Sequence, residues 1–99
     1  TKVRDSAPTR IGESSSIKNS MIADGCKIDG EVINSIIFRS VTVAKGAVVK
    51  DSILMQDTYV SEDSVLEHVI TDKNVAIVHK KELKGSKKTP LYIEKNEVI

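Results

Sequence analysis

The chain has 99 residues and a formal charge of +1, so it is long enough for one small domain and carries no net charge that would attract nucleic acid. Aromatic residues make up 3% of the composition and Trp is absent, which argues against a core built around large rings. Cys26 is the only cysteine, and this excludes an intramolecular disulfide. No apolar run approaches the roughly 20 residues of a membrane span, and the N-terminal stretch lacks the apolar segment of a signal peptide. We therefore predict a cytoplasmic protein with neither nucleic acid nor membrane as a partner.

Residues 1–10, with the sequence TKVRDSAPTR, are predicted to form a linker that leads into the first repeat. This stretch contains Pro8 and precedes the first apolar residue of the repeating pattern. The chain begins without Met. We therefore expect it to be a piece of a longer protein.

Residues 11–77 repeat one unit, and near-identical strings such as IKNSMI at 17–22 and VKDSIL at 49–54 belong to it. The first apolar residues of successive units are 17, 15, 17 and 17 positions apart. Within a full unit the apolar steps are 6, 5 and 6, and the second unit is two residues shorter between Ile28 and Val32. Three near-hexapeptides per unit predict one turn of a parallel β-helix with three sides. The first apolar residues are Ile11, Ile28, Val43, Val60 and Ile77.

Each near-hexapeptide is expected to supply one flat side and one corner, with its large aliphatic side chain pointing inward. Equivalent positions of successive coils then stack about 4.8 Å apart, and Ile17, Val32, Val49 and Leu66 form one such inward ladder. Cys26 falls at an inward position, so a buried structural thiol is predicted. The pattern resembles hexapeptide-repeat proteins, which implies a left-handed coil. The predicted fold class is all-β: a left-handed parallel β-helix of about four to five triangular coils with a C-terminal capping segment.

The pattern is expected to end at Ile77, and residues 78–99 are predicted to be a lysine-rich tail with capping strands. A cap is needed because the end of a solenoid exposes an unpaired strand edge. Residues 73–88 contain six lysines and one acid, Glu82. Lysine side chains suit phosphorylated ligands, although a charge run is more often a solvated face. The six are Lys73, Lys80, Lys81, Lys84, Lys87 and Lys88.

Candidate catalytic residues are few, because His68 and His79 are the only histidines. His68 stands where other coils carry Asn19, Asn34 or Asp51, so it is expected to be a solvated edge residue. The Asp-Gly pairs are turn signals, since no glycine-rich phosphate loop accompanies them. We therefore predict no catalytic residue and no metal site.

Two apolar triplets, at 36–38 and 53–55, stand out in the pattern. Side chains alternate faces along a strand, so three consecutive apolar residues must direct at least one side chain outward. Phe38 and Met55 are 17 positions apart, which places them on neighbouring coils. An exposed apolar ladder is typical of a subunit or domain contact. Phe38 and Met55 are therefore the interface candidates.

Several stretches together carry a resemblance to a known family. They are TKVRDSAPTR, IKNSMIADGCKIDGEV, NSIIFRSV, GAVVKDSILMQD and ITDKNVAI. In order and spacing they resemble the C-terminal β-helix domain of bacterial ADP-glucose pyrophosphorylase, which is glucose-1-phosphate adenylyltransferase. The likeness covers residues 1–77, and the tail, which ends in PLYIEKNEVI, is more similar to the regulatory paralogue of glycogen biosynthesis.

The resemblance implies a parent with an N-terminal nucleotidyltransferase domain, which makes ADP-glucose and pyrophosphate from ATP and glucose 1-phosphate with Mg²⁺. The nucleotide loop, substrate lysines and metal-binding aspartates of that domain have no counterpart here. The fragment is thus expected to be non-catalytic and to need no cofactor of its own. In the family the β-helix contributes to tetramer assembly and to control by phosphorylated metabolites. The expected partners are therefore the parent's catalytic domain, other subunits and a phosphorylated effector.

The resemblance also implies one site residue. In family members a basic residue after the Ile-x-Asp step of the last coil belongs to the activator site, and the matching stretch here is Ile70-Thr71-Asp72-Lys73. Lys73 is therefore the candidate for effector or anion binding. A second function remains open, namely a hexapeptide acyltransferase-like trimer, which requires a histidine at an inter-subunit groove and more coils.

Overall fold

The computed structural model describes residues 9–13 and 15–99, which form fifteen short strands in five coils. Over these residues there is no helix, and so none that is long and apolar enough to cross a membrane. The first coil contains β1 (Arg10–Ile11), β2 (Ser16–Lys18) and β3 (Met21–Ile22); the second contains β4 (Lys27–Ile28), β5 (Glu31–Ile33) and β6 (Ile36–Ile37). The third contains β7 (Thr42–Val43), β8 (Val48–Lys50) and β9 (Ile53–Leu54). The fourth contains β10 (Tyr59–Val60), β11 (Val65–Glu67) and β12 (Val69–Thr71), and the fifth β13 (Ala76–Ile77), β14 (Glu82–Lys84) and β15 (Leu91–Ile93).

The three strands of each coil belong to three different five-stranded sheets. The first strands of the coils stack as the A face, the second strands as the B face and the third strands as the C face. Each of the first twelve strands pairs in parallel with the strand three places further along the chain, as β5 does with β8. This arrangement confirms the prediction of an all-β solenoid built from hexapeptide-like repeats.

The core is a stack of aliphatic side chains that point inward from all three faces. On the B face the predicted ladder is confirmed, because Val32, Val49 and Leu66 are each 0% exposed and lie in register. Ile17 continues this ladder at the open end of the solenoid, where it is half-buried. Branched aliphatic side chains fill such a narrow interior at short strand spacing, which is why the protein needs few aromatic residues.

The corner between the B and C faces (the B–C corner) uses residues in the left-handed backbone region. Asn and Asp enter this region more easily than other L-residues because their short polar side chains bond locally. The residues at this corner are Asn19, Asn34, Asp51 and His68, with φ of 50°, 52°, 49° and 53°. A serine follows each of the first three, and Val69 follows His68. His68 thus occupies the position that the repeat indicated.

The serines at the B–C corner form a hydrogen-bonded ladder. The backbone N–H of Ser35 donates to Ser20 Oγ at 3.0 Å, and the N–H of Ser52 donates to Ser35 Oγ at 3.1 Å. The N–H of Val69 then donates to Ser52 Oγ, also at 3.1 Å, and ends the ladder. Each hydroxyl also donates to the carbonyl two residues before it, as Ser52 does to Lys50. The repeated Asn-Ser and Asp-Ser pairs are therefore a structural element that joins neighbouring coils.

Gly30 makes the short second coil possible. A Cβ at this position would lie 2.4 Å from the carbonyl oxygen of Ala47 and 2.8 Å from that of Ala44. Those atoms belong to the full-length corner of the next coil, and backbone atoms cannot rotate out of the way as side-chain atoms can. The loss of two residues between Ile28 and Val32 is thus tolerated because a glycine lies against the neighbouring corner.

The strand ladders continue past Ile77, where the repeat was expected to end. Strand β14 pairs with β11, β15 pairs with β12, and Ala76 forms a parallel bridge with Val98. Residues 78–99 therefore complete a fifth coil instead of ending the pattern. The predicted linker falls largely outside the described residues, and Arg10, at its end, already belongs to β1.

The sequence predicted that the repeat ends at Ile77 because the spacing of the apolar residues becomes irregular after Leu83. Leu83 follows Ile77 by six residues, as in every full coil, but Ile93 follows Leu83 by ten instead of five. The five extra residues lie in the B–C corner, where Gly85 N–H donates to Glu67 O at 2.8 Å and Leu91 N–H donates to His68 O at 2.9 Å. The strand ladder thus resumes after a loop at residues 86–90. Because this loop changes the spacing of the apolar residues, the fifth coil was not recognised from the sequence.

Candidate functional site

The outer side of the C face carries an unbroken apolar stripe. Strand register stacks its residues in one column, one from each coil. Met21, Ile36 and Tyr92 are 70%, 41% and 54% exposed, and the two residues between Ile36 and Tyr92 are half-buried. An apolar column of this length is typical of a contact surface. The C-face stripe comprises Met21, Ile36, Ile53, Ile70 and Tyr92.

The predicted interface residues lie beside this stripe. Phe38 is 40% exposed and Met55 is half-buried, and both immediately follow the paired residues Ile37 and Leu54. They therefore occupy equivalent places on neighbouring coils, as the spacing of 17 indicated. Their role as an interface remains a prediction. The sequence prediction missed Met21, Ile70 and Tyr92, although each directly precedes an inward position of its coil.

Lys73 lies at the corner between the C and A faces (the C–A corner), with its side chain exposed. Backbone hydrogen bonds stack one residue per coil here: Asp57 N–H donates to Arg39 O at 3.1 Å, and Asn96 N–H donates to Lys73 O at 3.1 Å. The stacked column is Asp24, Arg39, Gln56, Lys73 and Lys95. Lys73 thus has Lys95 one coil away and Arg39 two coils away, and neither neighbour was anticipated from the sequence.

Asp72 and Tyr92 connect the C–A corner to the C-face stripe. The Tyr92 hydroxyl donates to Asp72 Oδ2 at 2.6 Å, and the Lys73 backbone N–H donates to Asp72 Oδ1 at 2.7 Å. These hydrogen bonds favour the carboxylate, so they hold the pKa of Asp72 below its ordinary value. The same contact raises the pKa of Tyr92, because ionising the phenol would break it and place two anions side by side.

The lysines of residues 73–88 do not form one patch, because they are distributed around the solenoid. Lys73 is at the C–A corner, Lys80 and Lys81 are between the A and B faces, and Lys87 lies in the loop at the B–C corner. Lys81 Nζ donates to Ser61 Oγ at 3.0 Å and to Glu62 O at 2.9 Å. The net charge of the segment therefore provides no single anion site.

A group of possible ligand atoms lies at the B–C corner. One atom each from Asp51, Glu67 and His68 falls within 4.8 Å of the others, and all three side chains are half-buried. Asn19 Nδ2 donates to Asn34 Oδ1 at 2.7 Å, and Asn34 Nδ2 donates to Asp51 Oδ1 at 2.5 Å. The absence of a metal site stays a prediction. The cluster was not anticipated from the sequence, because Glu67 and His68 are one coil away from Asp51.

Cys26 is buried, with 1% of its surface exposed, as predicted. Its Sγ donates to the carbonyl oxygen of Phe38 at 3.0 Å. Burial raises the pKa of the thiol, so its reactive thiolate form is disfavoured. The residue therefore acts as a small apolar side chain of the core.

Comparison with known proteins agrees with this architecture. The chain is 47% identical over 98 residues to the glycogen biosynthesis protein GlgD of Bacillus subtilis (strain 168). The match covers 99% of this chain and 29% of that protein. It is 33% identical over 82 residues to the glucose-1-phosphate adenylyltransferase of Bacillus cytotoxicus, over 83% of this chain and 22% of that protein. The enzyme of the same name from Acetivibrio thermocellus is 39% identical over 67 residues, which is 68% of this chain and 16% of that protein.

These matches confirm the resemblance inferred from the sequence. The chain spans less than a third of the length of these relatives, from 16% to 29%. A family model described as GlmU-like, C-terminal hexapeptide matches residues 5–88. With its three parallel ladders and a match over most of its length, the chain belongs to the family of GlmU-like C-terminal hexapeptide domains.

Proposed function

We propose that the chain is the regulatory and oligomerisation domain of a glucose-1-phosphate adenylyltransferase or of its regulatory paralogue. The parent makes ADP-glucose and pyrophosphate from ATP and glucose 1-phosphate for glycogen synthesis, with Mg²⁺ bound in its N-terminal domain. The chain itself performs no catalysis and acts in the cytoplasm. Its partners are that catalytic domain and the other subunits of a tetramer, and a phosphorylated metabolite acts at Lys73.

The observation that carries the proposal is the similarity to the glycogen biosynthesis protein GlgD over 99% of this chain. The relatives named glucose-1-phosphate adenylyltransferase support the same interpretation over 68% to 83% of this chain. The alternative of an acyltransferase-like trimer has less support, because it requires a histidine at a groove between subunits. His68 is half-buried beside Asp51, with 3.7 Å between His68 Nε2 and Asp51 Oδ2.

The C-face stripe supports the assembly part of the proposal. Phe38, Ile36 and Met21 border a shallow apolar groove of about 500 Å³ at the start of the stripe. The outward column of the A face is more polar, since it begins with Arg10, Lys27 and Thr42. A solenoid whose C face carries an apolar stripe while its A face begins with polar outer positions is suited to contact another subunit or domain through the C face.

The experiment is to measure the assembly of the full-length protein carrying Phe38→Asp, alone and together with Met55→Asp. A carboxylate placed in an apolar contact must be buried without a partner, so we expect the complex to dissociate into smaller species. Light scattering coupled to size exclusion measures the mass directly.

The matched control is Tyr59→Asp. Tyr59 is 40% exposed, as Phe38 is, but it points outward from the A face. Its variant should keep the parental mass. An unchanged mass for the Phe38 and Met55 variants would remove these residues from the interface, and a monomeric wild-type protein would reject the assembly role altogether.

A further inference from the structure

We propose that Asp51, Glu67 and His68 form a binding site for one divalent transition-metal ion of the zinc class, which joins the third and fourth coils. This site is independent of the proposed role in glycogen synthesis. The three residues offer two carboxylates and one imidazole within 4.8 Å of one another. Imidazole with carboxylate oxygens is a ligand set that suits Zn²⁺ and its neighbours better than Mg²⁺ or Ca²⁺.

The polar ladder at the B–C corner is interrupted where this site lies. Asn19, Asn34 and Asp51 are joined by side-chain hydrogen bonds of 2.7 and 2.5 Å. The next step, from Asp51 Oδ2 to His68 Nε2, measures 3.7 Å, which is too long for a hydrogen bond. Two ligands bound tetrahedrally to Zn²⁺ at about 2.0–2.1 Å lie about 3.4 Å apart. The gap between the two side chains is therefore close to that required by a shared ion.

Hydrogen bonds hold two of the proposed ligands, His68 and Asp51, in position. His68 has a φ of 53°, and its N–H donates to Lys50 O at 3.1 Å, so its Cα is fixed against the third coil. Asp51 is oriented by Asn34, which bonds Oδ1 and leaves Oδ2 facing the imidazole. A residue that orients a ligand in this way is a usual feature of metal sites.

Charge and access also suit a dication. With His68 neutral, the three ligands carry two negative charges, which balance an ion of charge two. In strand register Glu67 lies between Lys50 on the third coil and Lys84 on the fifth. Lys84 Nζ forms its ion pair with Glu82, at 3.4 Å, and not with Glu67. An open groove of about 530 Å³ borders Asp51 and His68, with Lys87 also in its lining, and leaves room for water molecules on an ion bound by these two residues.

The test uses tag-free full-length protein, titrated with Zn²⁺ by calorimetry and followed by thermal unfolding. Wild-type protein should bind Zn²⁺ at this site and unfold at a higher temperature with the metal, because the ion binds only the folded coils. The variant His68→Asn should bind at least about tenfold more weakly at this site and lose the thermal shift. Asn19 and Asn34 already adopt the same corner geometry, so this variant is expected to fold, and circular dichroism checks it.

The matched control is His79→Asn, which removes the other histidine, an exposed residue outside the cluster. It should bind Zn²⁺ as wild type does. Glu67→Gln should weaken binding as His68→Asn does, and bound Co²⁺ should show ligand-field bands without a thiolate charge-transfer band, which excludes Cys26 as a ligand. Equal Zn²⁺ binding by wild type and His68→Asn, or no binding by wild type, would overturn the proposal.

Discussion

The carboxylate of Asp72 accepts hydrogen bonds from two residues, the phenol of Tyr92 and the backbone N–H of Lys73. Both bonds favour the ionised form, and they lower the pKa of Asp72. A carboxyl group whose pKa is lower in the folded state stabilises the fold above its unfolded pKa. That contribution is lost as the pH falls through the folded value. The contact therefore stabilises the packing of the fifth coil on the fourth at neutral pH, and this stabilisation disappears in acid.

At this scale we predict that Tyr92→Phe raises the pKa of Asp72 toward its ordinary value, because the larger of the two hydrogen-bond contributions is removed. An NMR titration of the side-chain carboxyl carbons measures this directly. Tyr59→Phe is the control, since Tyr59 lies on the A face and should leave the titration unchanged. An unaltered Asp72 titration in Tyr92→Phe would show that the phenol does not set the pKa.

The sequence revealed these residues only in part. Lys73 was singled out through the Ile-x-Asp step of the resembling family, and the structure places it at the C–A corner next to Asp72. Tyr92 was not assigned to them, because it is 20 residues further along the chain, beyond the loop that conceals the register of the fifth coil.

The serine ladder at the B–C corner is the element that connects successive coils outside the β-sheets. Each serine accepts a backbone N–H from the next coil, so its hydroxyl replaces a ladder bond that the turn would otherwise lose. Ser35 and Ser52 are 3% and 2% exposed, so water does not offer a substitute.

We predict that Ser52→Ala lowers the free energy of unfolding by about 1–3 kcal/mol, because the buried N–H of Val69 loses its acceptor. Urea unfolding followed by circular dichroism measures the change. Ser16→Ala, on the outward side of β2, is the control and should change stability by less than about 0.5 kcal/mol. Equal effects of the two substitutions would contradict a special role for the ladder.

The end of the repeat shows where pattern reading fails for an element. The step from Ile77 to Leu83 keeps the spacing of six, so the A and B faces of the fifth coil were readable. The loop at 86–90 interrupts only the B–C corner, yet it shifts every later residue by five positions relative to the repeat of the earlier coils. Hydrogen bonds from Gly85 and Leu91 to the fourth coil restore the register, and only the folded chain displays them.

At the scale of the whole molecule, the C–A corner and the C-face stripe lie side by side. Lys73 and Lys95 stand at the corner, and Tyr92 joins the stripe to it through Asp72. An anion bound at the corner, as we propose for Lys73, would therefore act close to the surface that we propose for assembly. This proximity gives a physical route by which effector binding and subunit contact influence one another.

If the proposed function holds, we predict that Lys73→Ala raises the concentration of phosphorylated effector needed for half-maximal activation of the full-length parent by about fivefold or more. The reason is the loss of one cation from the corner, and the basal rate should not change. Activation curves with a panel of phosphorylated metabolites measure the effect. Lys45→Ala, between the A and B faces, is the control. Superimposable curves for wild type and Lys73→Ala would exclude Lys73 from the effector site.

The sequence by itself determined the solenoid, its three faces and its inward ladders, because the 6-5-6 spacing of aliphatic residues is imposed by one turn of a triangular coil. It also made the equivalence of Asn19, Asn34, Asp51 and His68 readable, since an Asn-Ser or Asp-Ser pair recurs at one place in the first three units. Only the tertiary structure decided which further residues from different coils meet, beyond these inward ladders. The fifth coil, the C-face stripe and the cluster of Asp51, Glu67 and His68 all depend on register across coils, and that register includes a shortened second coil and an inserted loop.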